Sequence, residues 1–291
     1  MRKRSMPSIA VVGNCQAPPI ADVLTRIVSG ASVTTFPLSK IHDDAARERA
    51  AESLQHFDFV FMQPLSQPKH GPLRAAEIQA GNSNVVLYPE IIFKGFHPDF
   101  IGTSGGGKVH SAAMEYHSCL VAAAFVRGIP VEQVGSLFNA FNFAKLGYFQ
   151  EYDAGKEFLL SRAAVVGYDL APALREWEKE EIFMHTPNHP KLHVLISVAA
   201  KAAEKASLRP DIHAADGMPD RLSRKVCLPV YPAIAKRLRL SGTLEFGVGE
   251  QKARRTFALE KYVTETYELY ASAPKSFFEQ KPIQRAAAIL N

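Results

Sequence analysis

A cysteine in a short turn is the sharpest chemical signal in this chain of 291 residues: Gly13-Asn14-Cys15-Gln16 separates the apolar run Ser8-Ile9-Ala10-Val11-Val12 from a helical pattern opening at Pro18. A thiol at a strand-to-helix turn faces unsatisfied N–H groups and the positive end of a helix dipole, both of which favour thiolate. That is where a nucleophile belongs. The alternative is a small buried hydrophobe, and Gly13, Asn14 and Gln16, all poor core residues, keep both readings of Cys15 open. Cys119 and Cys227 lie in apolar surroundings and read as core.

A second constellation is His185-Thr186-Pro187-Asn188-His189-Pro190, which leads into a helix from Lys191. A histidine before proline is held outside helical geometry, so the His189 ring stands near a helix N-terminus as a general base toward a thiol or sugar hydroxyl, or as a satisfied turn residue. His185, His189 and His193 are four apart, but Pro187 and Pro190 break the helix that would put them on one face, so no metal site is expected. The run Gly102-Thr103-Ser104-Gly105-Gly106-Gly107-Lys108-Val109 matches a phosphate loop up to the lysine. Val109 then stands where magnesium chemistry requires Ser or Thr, which argues against an NTPase and leaves a solvent loop, or a lid with Lys108 reaching a phosphate. Between Arg221 and Leu240 six cations occur with no acidic residue, a solvated face or a docking stretch for phosphates, an acidic glycan or lipid headgroups.

These residues need elements to position them. Ser8 to Val12, Val33 to Phe36, Phe57 to Met62 and Val85 to Tyr88 read as strands, with helices at Pro18 to Val28, Asp43 to Gln55 and Leu73 to Ala80 between them. Alternating strands and helices imply a parallel sheet, whose ligands gather beyond the carboxyl ends of the strands. The Cys15 turn, Gln63-Pro64-Leu65-Ser66 after strand three, and the segment from Tyr88 through Lys94 and His97 to Asp99 after strand four would then line one crevice. Beyond Tyr88 the pattern is mainly helical: Ser111 to Arg127, Val131 to Leu146, Lys156 to Val166, Ala173 to Glu181, Lys191 to Ala206, Ala233 to Leu240 and Lys261 to Ala271, with one short strand at Val226 to Val230. The expected fold is α/β, with a short parallel sheet in residues 1–109 and a predominantly helical remainder, 110–291, packed on it as one compact unit.

Composition narrows the function class. With 47% hydrophobic and 22% charged residues the chain can bury a sizeable core. A net charge of +5 favours anionic ligands, yet base-reading and aromatic RNA-binding motifs are absent, so nucleic acid is not expected as a partner. Three cysteines make no disulfide framework, and the cytosol is the expected compartment. Met1-Arg2-Lys3-Arg4 and the apolar run after it imitate a signal peptide, but the run stops at Gly13, and Asn14 spoils the lipoprotein box that Val12 to Cys15 suggests. No stretch reaches the ~20 apolar residues of a membrane span.

Gly13-Asn14-Cys15-Gln16 after the first strand, Tyr88-Pro89 through Phe93-Lys94-Gly95-Phe96-His97-Pro98-Asp99, and Asn188-His189-Pro190 before a helix, in that order, resemble the WcbI family of capsular polysaccharide biosynthesis proteins over residues 8 to about 206. The resemblance implies a protein that binds coenzyme A and O-acetylates a sugar, with acetyl-CoA as donor and a sugar or glycan as acceptor. Onto this chain it carries Cys15 with its neighbours Gly13, Asn14 and Gln16 as the cofactor turn at the ligand site, and His189 with Asn188; Cys15 and His189 are the candidate catalytic pair. Lys94 and Lys108 join that turn as candidate cofactor-binding cations; Gln63, Tyr88, His97, His185 and Asn188 are the candidate substrate-binding residues. A looser likeness to SGNH-type hydrolases, with Cys15 replacing their serine, lacks the Asp-x-x-His spacing around His189. Two competing readings stand beside acetyl transfer: a thiol-dependent esterase or thioesterase using water as acceptor, and a non-catalytic CoA- or glycan-binding subunit in peripheral contact with membrane-bound capsule machinery, docked by the 221–240 segment.

Overall fold

Strand β1, Ser8–Gly13, is apolar and buried from Ile9 onward, and a run so short can bury itself only between two neighbouring strands. In the computed structural model, which describes residues 6–102, 109–250 and 253–290, those neighbours are β2, Ser32–Pro37, and β3, Phe59–Met62, both parallel to it. Helix α1, Ala17–Ile27, connects β1 to β2, α2, Asp44–Leu54, connects β2 to β3, and α3, Ala75–Gly81, leads to β4, Val85–Leu87. The sheet order is β2-β1-β3-β4, so the connections reverse direction at β1. Right-handed crossovers then place α1 on one face and α2 and α3 on the other. The core shows this division: Ala10, Val12, Val60 and Met62 pack with Ala51 and Leu54 of α2 and Ile78 of α3. The winding reverses between β1 and β3.

The chain continues through β5, Phe100–Gly102, β6, Tyr116–Ser118, α4, Cys119–Val126, α5, Val131–Val134, α6, Ala140–Leu146, and α7, Glu151–Val165. Next come α8, Ala171–Lys179, β7, Met184–Thr186, β8, His189–Pro190, and α9, Leu192–Lys205. The final stretch holds β9, Val226–Cys227, α10, Pro232–Leu238, β10, Glu245–Val248, β11, Arg255–Ala258, α11, Leu259–Tyr270, α12, Lys275–Phe278, and α13, Lys281–Ile289.

Contacts divide the chain into two units, and the division does not fall at residue 109. The first comprises Met1–Ile91, Leu159–Phe183 and His189–Leu222; the second comprises Ile92–Phe158, Met184–Asn188 and Ser223–Asn291. In the first unit, α9 packs against α1 and β4, so two segments distant in sequence complete the cover of the parallel sheet. Trp177 of α8, the single tryptophan of the chain, is buried there against Phe183.

The second unit is less helical than its spacing predicts. The expected helix from Ser111 begins only at Cys119, because Tyr116–Ser118 pairs antiparallel with β5 and the Ser118 hydroxyl then caps α4 by accepting from the Val121 N–H. The expected helix Val131 to Leu146 is split, since Asn139 turns extended and caps a new helix through the Asn142 N–H. An antiparallel sheet of order β11-β10-β9 adds strands that the sequence pattern had shown only in part, at Val226. Its aromatic centre stacks Phe246 on Tyr262 at 4.2 Å between centroids. Asp99 is the polar hub of this unit: fully buried, it accepts from Tyr148 Oη at 2.7 Å, Tyr231 Oη at 3.0 Å and the Leu120 N–H at 3.0 Å. Burial pushes its carboxyl up, and these bonds oppose the rise.

Candidate functional site

The turn after β1 is built from neutral amides. Gly13 is required by crowding, since a Cβ there would lie 2.7 Å from Tyr88 Oη and 2.8 Å from the Gln63 amide. Tyr88 Oη donates to the Val12 carbonyl at 3.0 Å, and burial holds its phenol well above the ordinary value, so it stays a protonated donor. Gln63 and Asn14 bond reciprocally: the Asn14 N–H donates to Gln63 Oε1 at 2.9 Å, and Gln63 Nε2 donates to Asn14 Oδ1 at 3.1 Å. The same Oδ1 accepts from the Gln16 N–H at 2.9 Å. Gln16, fully buried, grips the main chain of Ile91, donating to its carbonyl at 2.7 Å and accepting from its N–H at 3.0 Å. Asn14 Nδ2 donates to Glu90, whose carboxyl is raised by burial against the pull of Arg162, 3.6 Å away.

Cys15 sits between these two clamped residues. It is exposed and outside any disulfide, at the N-terminus of α1 and the carboxyl end of β1. Its neighbours do not offer the free N–H groups that the turn suggested: Asn14 N–H and Gln16 N–H bond to side chains, Ala17 N–H bonds to the Asn14 carbonyl at 3.0 Å, and Pro18 and Pro19 have none. What the turn supplies is a rigid, exposed thiol in the field of an 11-residue helix.

His189 belongs to the same unit and is buried. Two ties join the helices that follow Cys15 and His189 to the chain beyond α9. The Asp211 N–H, just beyond the end of α9, donates to the carbonyl of Ile27, the last residue of α1, at 2.7 Å. At the start of α9, Asp220 Oδ2 accepts from the Leu192 N–H at 3.0 Å, while the adjoining Arg221 pairs with Asp22 of α1 at 2.6 Å. Helices α1 and α9 pack on each other, and Cys15 and His189 each stand in the few residues before the N-terminus of one of them.

The other sequence candidates fall in different places. Gln63 and Tyr88 are buried and serve the turn as its supports. Lys94, Asn188, His97 and His185 belong to the second unit. His97 is fully enclosed: its Nε2 lies 3.2 Å from the Leu228 carbonyl and burial lowers its pKa to about 3, so it is a neutral packing residue at ordinary pH. His185 Nδ1 lies 3.6 Å from Cys227 Sγ, which makes Cys227 half-buried and hydrogen-bonded, not plain core. Asn188 Oδ1 accepts from Tyr116 Oη at 2.7 Å and from Thr186 Oγ1 at 3.1 Å. It lines, with Lys94 and Tyr116, a cleft of about 610 Å³ in the second unit. Lys281, which no motif marks, lines the same cleft; the only signal in the sequence is its place before Pro282, a helix-opening pair.

Lys108 lies outside the described residues. His185, His189 and His193 occupy β7, β8 and α9, three separate elements. The cations from 221 to 240 do not act together either: Arg221 is paired in the first unit, and Arg237 lies over Phe149 in the second, 5.2 Å from the ring centroid. Among the described residues no helix is long and apolar enough to cross a membrane.

The model of the family described as polysaccharide biosynthesis enzyme WcbI matches residues 8–211. No curated protein matches the chain in sequence. A solved structure of WcbI, described as a novel polysaccharide biosynthesis enzyme and as the native protein without a disulfide between coenzyme A and a cysteine, is similar over 97% of this chain and 98% of its own, with a TM-score of 0.69 and 16% identity.

Proposed function

This chain belongs to the WcbI family of polysaccharide biosynthesis enzymes, and from that membership we propose a coenzyme A-dependent acyltransferase that carries an acetyl group to a sugar hydroxyl in capsular polysaccharide biosynthesis. One observation carries the reading: an exposed cysteine held rigid between two amide clamps at the carboxyl end of a parallel sheet. The similar WcbI structure is described in terms of coenzyme A and a cysteine, which supports coenzyme A as the thiol partner here.

In the proposed reaction, Cys15 Sγ bonds to the acetyl carbonyl carbon while the bond from that carbon to the coenzyme A sulfur breaks, and the proton leaving Cys15 ends on the departing thiolate. His189 then takes the proton of the sugar hydroxyl as its oxygen bonds to the acetyl carbon, and the Cys15–acetyl bond breaks to restore the thiol. Direct attack by the sugar, with His189 as base and Cys15 orienting the thioester, gives the same products.

Incubation with acetyl-CoA and a panel of sugar acceptors tests the proposal. Acceptor-dependent release of coenzyme A is expected, and Cys15→Ser and His189→Ala should each remove most of it, the double variant being little worse than either. Full turnover in Cys15→Ala would select direct transfer. The exposure of Cys15 favours hydrolysis as the second reading, and release independent of any acceptor would establish that instead. With limiting iodoacetamide, mass spectrometry should find Cys15 alkylated before Cys119, which is only 3% exposed.

A further inference from the structure

The 610 Å³ cleft of the second unit adjoins a smaller one of about 250 Å³, and Lys94, Ile101, Lys281 and Pro282 line both, so the two form one trough. Arg285 lines the smaller part. Lys281 and Arg285 are four residues apart on α13, a spacing that puts both side chains on one face. Lys94 is set by its backbone: the Phe93 N–H donates to the Pro187 carbonyl at 2.8 Å and the His97 N–H to the Lys94 carbonyl at 2.8 Å. At Gly95 a Cβ would meet the Phe93 ring at 2.6 Å and the Tyr152 backbone at 2.7 Å, which keeps the segment close-packed.

None of the three cations pairs with a carboxylate among the described residues, unlike Lys179 and Arg255, which pair with Glu176 and Glu265. Their charge is felt below them, where Lys94 opposes the rise that burial imposes on the Cys119 thiol and Arg285 does the same for the Tyr148 phenol. Glu115 and Glu151 also line the trough, and neither is ion-paired among the described residues. Three cations against two carboxylates leave the trough net positive, and a guanidinium with two ammonium groups on its lining suits an anion with several oxygens on adjacent centres. The larger part of the trough, with Asn188 and Tyr116 on its wall, has the volume of a small-molecule site.

We propose that this trough is a binding site for the diphosphate or clustered phosphates of a ligand, held by Lys94, Lys281 and Arg285. Coenzyme A and a nucleotide-linked sugar both carry that chemistry. The proposal rests on the second unit alone and is independent of the role given to Cys15.

Calorimetric titration of the full chain with inorganic pyrophosphate is the direct test, and binding in the micromolar to millimolar range is expected. Lys281→Glu and Arg285→Glu should each weaken it by about tenfold or more, because reversal adds repulsion to the lost attraction. Lys236→Glu, which makes the same change in net charge on α10 outside the trough, should weaken it less than about twofold. Circular dichroism melts establish that the variants fold, and pyrophosphate should protect Lys281 in the unaltered chain from acylation as read by mass spectrometry. Tighter binding of 3′,5′-ADP than of pyrophosphate would assign the site to coenzyme A, and tighter binding of UDP to a nucleotide-linked sugar. Absence of pyrophosphate binding at millimolar concentration, equal loss in Lys236→Glu, or unprotected Lys281 would overturn the proposal. Cys15→Ser should bind pyrophosphate unchanged, so a failed acetyl-transfer assay leaves this test standing.

Discussion

The turn around Cys15 and the structure around Asp99 hold chemically important residues by opposite means. The turn uses groups that do not titrate near neutrality: the amides of Asn14, Gln16 and Gln63 and the phenol of Tyr88. The second unit instead buries two imidazoles, His97 and His117, that would be charged in water below neutrality. His117 spans Tyr270 Oη at 2.9 Å and the Val109 carbonyl at 3.2 Å, and burial lowers its pKa to about 4. The lesson is that acid should discriminate between the units.

The largest expected effect follows from His97. Its folded pKa of about 3 lies below the ordinary 6.5, so its contribution to stability is complete above pH 6.5 and is lost as pH falls toward 3. That loss is on the order of 5 kcal/mol at its acid limit, with His117 adding a smaller loss between about 6.5 and 4. Hydrogen exchange at pH 4.5 should therefore open peptides of β5, β6 and β9 before those of β1 and β3. Simultaneous opening would break the contrast. Next in size, Asp99→Ala leaves two tyrosine hydroxyls and a backbone N–H without their acceptor and should cost about 3 kcal/mol or more in urea unfolding.

Gly13→Ala sharpens the comparison from the other side. The added methyl must displace Tyr88 or Gln63, so a loss of about 1–3 kcal/mol is expected in thermal melts, together with a fall in Cys15 alkylation selectivity. The smallest effect belongs to Gly102→Ala at the trough, where a Cβ meets nothing within 4 Å and stability should change by less than about 0.5 kcal/mol.

The parallel sheet is legible in the sequence because Ile9 to Val12 and Phe59 to Met62 are apolar runs bounded by turn residues, and that pattern has few other uses. Cys15 is legible at its turn for the same reason. The role of its supports is not, since Gln16 and Gln63 read as ligand-binding residues until their partners, Ile91 and Asn14, come close through folding. Ser111 to Cys119 misleads because apolar residues at helical spacing also suit a short strand when a capping serine follows. Lys281 and Arg285 carry no motif at all; only the trough gives them meaning.

The interleaved division of the chain has a consequence for its synthesis. Five crossings separate the two units along the sequence, and the last residue of the first unit is Leu222. An emerging chain that has released β1 to β4 still lacks α9, which packs on α1 and β4, so the sheet stays partly uncovered through well over a hundred further residues. Domains ordinarily fold as units in the order they leave the ribosome. Here the first unit must wait for most of the polypeptide, and a truncation at residue 109 or at 211 would release an incomplete sheet cover or a second unit without β9, β10, β11 and α13. Uncovered apolar sheet surface over that interval makes this a chain whose yield should depend on holding chaperones and on slow, cool expression more than its final packing would suggest.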